Sequence, residues 1–164
     1  MVFKYPSGQI KMSDQIWKLD AEQAREILHE FLRAERAAFQ SLRISSIELN
    51  YSPESVIQVA HYIANEIQAG NLGEEQQSIW FARLGFYLGE ALCHAKPGLS
   101  WGIGDSEYAF ANHPVIKGFS GDEEAPTITI CKSMILAVVE GLSPPIRIDN
   151  GVMNWFNKVV VANP

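Results

Sequence analysis

The hydrophobic period of this chain changes once, at Lys96-Pro97-Gly98. Before that point apolar residues recur three and four apart, the spacing that lays one stripe along an α-helix. After it they alternate in short runs among glycines and prolines, as strands do. No long polar linker divides the halves, and 164 residues at 47% hydrophobic supply enough apolar material for a core. The pattern predicts a single α+β domain over 1–164: an arm or hairpin over 1–19, a helical part over 20–96 and a sheet-rich part over 97–164. N-terminal helices would pack on a small, mainly antiparallel sheet, with a helix toward the C-terminus.

Three helices are legible in the first part. The first runs from Ala21 to Leu42. Asp20 is its N-cap, and Gln23 completes a capping box. Ala24, Ile27, Leu28, Phe31, Leu32, Ala38, Phe39 and Leu42 form its stripe. Glu22, Arg25, Glu26, Glu30, Arg33 and Arg36 read as a solvated face. In the second, Ser52 caps, Pro53 suits the first helical position, and Gly70-Asn71 ends it. The third spans Glu74 to Ala95 and carries two glycines, Gly85 and Gly89, in its interior. Each costs about 1 kcal/mol relative to alanine. Their place four apart on one side implies close approach by another helix or by the sheet.

Beyond Gly98, Leu99, Trp101 and Ile103 share one face of a strand. Gly104-Asp105-Ser106 reads as a turn and Glu107 to Ala111 as the return strand, with Tyr108 and Phe110 on one face. Pro114 to Phe119 is a third strand, Ser120 to Pro126 an acidic loop, and Thr127 to Ile130 strand-like. Lys132 to Leu142 suits a buried helix that Ser143-Pro144-Pro145 stops. Ile146 to Ile148 reads as a last strand. Asn150-Gly151 fits a hairpin turn, and Val152 to Val160 fits a helix equally well.

The formal net charge is −6, from 13 Lys+Arg against 19 Asp+Glu. That balance argues against nucleic acid as a partner, because phosphate binding rests on clustered cations. The longest apolar runs are far short of a membrane span. The N-terminus lacks the apolar core and small-residue cleavage site of an export signal, so the expected location is cytoplasmic. Cys93 and Cys131 make no CxxC pair and have no histidine at ligand spacing around both, and are expected to be free thiols.

No catalytic or metal signature is complete. His29, His61, His94 and His113 make no zinc-type spacing, so neither metal nor cofactor is expected. Gly102-x-Gly104 lacks the rest of a dinucleotide fingerprint. Gly118 to Gly121 lacks the Lys-Ser/Thr ending of a phosphate loop, and Ser120 lacks the strand-to-helix context of a nucleophile elbow. Cys93 and His94 are neighbours on a helix and point apart. Glu90 either makes a surface pair with His94 or has a buried role, held by Tyr87 or Trp101. What remains is charge: Asp122, Glu123 and Glu124 in one loop, Asp105 and Glu107 in or beside an earlier turn. If the two loops lie together, they form a negative patch that attracts a basic partner. Trp101, Tyr108, Phe110 and Phe119 are the nearby aromatic anchors, each of which can instead serve the core.

The stretch Leu84-Gly85-Phe86-Tyr87-Leu88-Gly89-Glu90, followed by Pro97-Gly98 and the strand Leu99-Ser100-Trp101, resembles a motif of small bacterial proteins. In them a helix ending LGxYLGE leads into a strand bearing a tryptophan, and some resemble immunity proteins of polymorphic toxin systems. The resemblance covers about residues 80 to 111 and brings no catalytic residues. It implies a cytoplasmic bacterial protein that binds another protein. The leading expectation is thus a non-enzymatic immunity protein that neutralises a cognate toxin by binding it. Its contact residues would be Asp105, Glu107, Asp122, Glu123, Glu124, Trp101, Tyr108 and Phe119. The alternative is a small ligand-binding or hydrolase-like protein with Glu90, Trp101 and Tyr108 in a pocket between helix and sheet. A third is a structural subunit working as a homo-oligomer.

Overall fold

The computed structural model of the protein describes residues 2–5, 8–11, 16–105, 107 and 109–161. Among the described residues five α-helices carry the fold: α1 (Ala21–Ser41), α2 (Pro53–Gln68), α3 (Glu74–Ala95), α4 (Thr127–Val139) and α5 (Ile146–Val161). Two antiparallel hairpins accompany them. Strands β1 (Val2–Tyr5) and β2 (Gly8–Lys11) form one, and β3 (Ser100–Ile103) and β4 (Pro114–Lys117) the other. The architecture is α+β, with a small antiparallel sheet flanked by helices on both sides in sequence. Among the described residues, no helix is long and apolar enough to cross a membrane.

The helix starts follow the local chemistry. Asp20 accepts a hydrogen bond from the Gln23 backbone N–H at 2.8 Å, and the Gln23 side chain accepts one from the Asp20 N–H at 3.1 Å. Ser52 accepts from the Ser55 N–H at 3.1 Å, with Pro53 as the first helical residue. Each helix then turns its apolar stripe inward. Phe31, Leu28 and Leu32 of α1 pack on Ala82 and Phe86 of α3. Val59, Ala60 and Ile63 of α2 join Leu84, Leu88 and Leu92 of α3, together with Ile135 of α4 and Ile148, Val152 and Phe156 of α5.

Helix α3 is the axis of the molecule, in contact with all four other helices and with β4. It is buried from Phe81 to Leu92 except at Arg83 and Glu90. Its two glycines explain how it can be so enclosed. A Cβ on Gly85 would stand 2.6 Å from the Ile128 Cα of α4, and one on Gly89 would stand 2.2 Å from the Trp101 ring of β3. One glycine therefore admits a helix and the other admits the sheet.

Several local expectations are corrected. Glu107 to Ala111 is not the return strand; Pro114–Lys117 is, with Ile103 opposite Pro114 and Ser100 opposite Lys117. The intervening loop closes on itself, with Gly104 bonded to His113 and Asn112. Asn112 is left-handed at φ 64 and donates to the Ile16 and Leu19 carbonyls. Thr127 to Ile130 is the first turn of α4, not a strand. Over four β-branched-rich residues the two periods look alike, and burial between α2 and α3 selects the helix. Ile146 to Ile148 likewise opens α5, where the Arg147 and Ile148 N–H groups bond the Pro144 and Pro145 carbonyls. Asn150-Gly151 lies within that helix.

Candidate functional site

The two acidic loops meet. After β4 the chain makes a tight turn at Ser120–Asp122, with Gly121 and Asp122 both at positive φ. It then returns along β4, where Ala125 exchanges two backbone hydrogen bonds of 2.9 Å with Ile116. That return sets Glu124 beside Lys117. The Lys117 side chain runs over Gly102, its carbons 3.1 Å from where a Cβ would stand. Its ammonium then sits 3.0 Å from Asp105 and 3.0 Å from Glu124. Glu124 also accepts a hydrogen bond from the Asp105 backbone N–H at 3.3 Å. The loops are thus joined through one lysine, the only Lys or Arg between residues 97 and 131.

The electrostatics follow from these contacts. The hydrogen bond from Lys117, and then its charge, hold the Asp105 carboxyl below its ordinary value. Burial opposes the charge on Lys117, but the bonds to Asp105 and Glu124 prevail and raise its value. Glu123 is paired with Lys158 of α5, whose ammonium lies 4.1 Å from the centre of the Trp155 ring. Asp122 and Glu107 are exposed and make no ion pair among the described residues. Asp105, Glu107, Asp122, Glu123 and Glu124 line one open cavity of about 560 Å³ with Lys117 and Phe119. Five carboxylates against Lys117 and Lys158 leave the face with a negative excess of three. Beside it lies an apolar hollow of about 460 Å³, floored by Ala109 and Phe110 and rimmed by the same acidic loop.

The aromatic candidates divide. Trp101 is turned inward: it stacks on Phe86 at 6.2 Å, meets Phe31 edge-on at 5.9 Å and donates its indole N–H to Glu90 at 2.8 Å. Phe119 is buried with its edge toward Trp155 at 5.6 Å. Phe119 lines the acidic cavity, and Trp101 serves the core against α1 and α3. Phe110 is half-buried at its surface, and Tyr108 lies outside the described residues. The organising lysines, Lys117 and Lys158, escaped the sequence reading. An isolated cation between two acidic runs was the available signal for Lys117; nothing local marks Lys158.

Several polar groups elsewhere are engaged in the fold. Glu90 accepts from Trp101 and lies 3.4 Å from Arg36, so the carboxylate of the alternative pocket is bound by its own neighbours. His94 bonds the Glu90 carbonyl at 2.8 Å and stacks on Tyr51 at 4.2 Å. His61 meets Asp149 at 3.0 Å. Cys93 and Cys131 are free thiols. Burial pushes Cys93 up to about 11 and Cys131 higher still, so neither is a thiolate near neutral pH. No three His, Cys, Asp or Glu side chains among the described residues converge in a metal-binding group. Compared with known proteins, this chain matches no family model, no curated protein and no solved structure.

Proposed function

We propose that this chain is a protein-binding protein, and that its contact surface is the acidic face built from the β3–β4 loop and the 120–125 loop. The observation that carries the reading is the convergence of Asp105, Glu107, Asp122, Glu123 and Glu124 on one open cavity beside an apolar hollow. A negative surface beside an apolar hollow suits an interface that steers a basic partner and then anchors it. The role that fits is that of an immunity protein. A toxin acting on an anionic substrate carries a basic active site, which an acidic face of this kind would find and cover. The resemblance of residues 84–101 to immunity-like proteins supports this role, although each of its distinctive residues also serves the fold.

The test uses the product of the reading frame next to this chain's gene as partner. Glu107 and Asp122 are the residues to reverse, because neither takes part in an ion pair among the described residues. Glu124→Lys would also break the loop and confuse the result. The variant Glu107→Lys/Asp122→Lys should associate about tenfold or more slowly at low salt, with most of the salt dependence lost. Parent-like association at both salt concentrations would remove the acidic face as the contact surface. Turnover of a substrate by the purified chain, abolished by Glu90→Gln, would favour the ligand-binding or hydrolase-like alternative.

A further inference from the structure

The connection 140–145 turns the chain from α4 into α5, and the two helices cross where Gly151 faces Met134. A Cβ on Gly151 would stand 2.0 Å from the Met134 sulfur, so a larger residue there would require the Met134 side chain to shift. A helix-interior glycine costs about 1 kcal/mol relative to alanine. Beside the crossing lies a groove of about 590 Å³, within the range of small-molecule sites. Met134 and Ile130 form its apolar floor. Thr129 and Ser133 line it from α4, and Asn150 and Asn154 from α5. Hydroxyl and amide side chains are weak helix formers, so two such pairs facing one groove need a reason beyond helix stability.

The groove differs from the rest of the surface in charge. Its charged lining residues are Arg147 and Lys158, and no carboxylate lines it among the described residues. This is in a chain with 19 acidic against 13 basic residues. Lys158 is already engaged by Glu123 and by the Trp155 ring. Arg147 is exposed and makes no ion pair among the described residues. Trp155 lies two turns further along α5, about 12 Å from Arg147 at 1.5 Å per residue. Phe110 lines the groove as well.

We propose that the α4–α5 groove binds a small organic anion, its oxyanion group held by Arg147 and its flat apolar body lying over Met134 and Ile130 toward Trp155 and Phe110. A guanidinium presents paired N–H donors in the plane that carboxylates and phosphates accept. Asn150, Asn154 and Ser133 supply further donors beside it. The net charge of −6 disfavours anions at long range, and Arg147 is the local cation that opposes it in the groove. This site adjoins the acidic face, sharing Phe110 with it and meeting it at the Lys158–Glu123 pair, but its argument does not depend on the reading of that face.

The experiment compares naphthoate with naphthylmethylammonium, two probes with the same flat body and opposite charge, on the full chain. Backbone amide shifts are followed by NMR. Naphthoate should give saturable shifts centred on Thr129, Ser133, Asn150 and Asn154, and naphthylmethylammonium should not. Arg147→Glu should weaken naphthoate binding about tenfold or more, the scale of a lost charge-assisted bond, while keeping a dispersed native spectrum. Asn154→Leu, which keeps Arg147, should weaken binding less. Equal shifts with both probes, no saturation with naphthoate, or unchanged affinity in Arg147→Glu would overturn the proposal. Saturable shifts centred on the acidic loops instead would overturn it equally.

Discussion

Two groups of paired charges in this protein have opposite consequences. At the α1–α3 contact, Glu35 of α1 is 5% exposed and meets Arg83 at 3.3 Å, while Arg36 and Trp101 hold Glu90. On the acidic face, Lys117 bridges Asp105 and Glu124, and Asp122 and Glu107 are left facing water. In the first group every charge is spent on the fold. In the second the lysines hold the shape of the loops and still leave uncompensated carboxylates. Burial, not residue identity, decides whether a charge is structural or available to a partner, because desolvation is costly only where water is excluded.

The largest effect should come from breaking the interior pair. Arg83→Met leaves Glu35 buried and unpaired and should cost about 3 kcal/mol in denaturant unfolding. Arg83→Met together with Glu35→Met should recover much of that loss. Equal instability of the single and double variants would show that packing, and not the charge, matters there. Next comes the contact that encloses α3. Gly89→Leu drives a side chain into the Trp101 ring and should cost about 1–3 kcal/mol by thermal melt. An unchanged melt would mean that the helix face is open.

The two groups should also respond to pH with opposite sign. Burial, only partly offset by Arg83, raises the Glu35 carboxyl above its ordinary value. Folding therefore favours its protonated form, and its contribution to stability falls as pH rises from the ordinary carboxylate range through the raised value. Lys117 holds Asp105 low, so that contribution is present above the ordinary range and is lost as pH falls through the lowered value. Relative to the parent, Glu35→Gln should gain stability as pH rises, and the deficit of Asp105→Asn should vanish toward acid pH. Parallel curves for the two variants would contradict the contrast. Smallest of all, Glu107→Lys/Asp122→Lys should stay within about 1 kcal/mol of the parent, most of it from placing lysine at the positive φ of position 122, even where it slows association. A larger loss would mean that these two residues belong to the fold.

The parts of the fold written in local chemistry were legible. The caps at Asp20 and Ser52, the bounds of α3 and the need for close approach at Gly85 and Gly89 all follow from residues a few positions apart. Glu35 could have been found the same way, because it falls on the apolar stripe four residues beyond Phe31. The second half was less legible. Short β-branched runs at Thr127 and Ile146 suit strand and helix equally, and the choice was made by neighbours distant in sequence.

For the candidate sites the division is sharper. The order of residues alone shows that two acidic runs exist, that aromatics stand near them, and that α3 must be tightly enclosed. The packed fold was needed to turn Trp101 toward the core and to join the two runs through Lys117. It alone placed Arg147 in a groove with the polar edges of α4 and α5. Local propensity acts over one turn of chain. A charge's partner and its burial depend on which segments the hydrophobic core brings together, and no spacing along the chain records that.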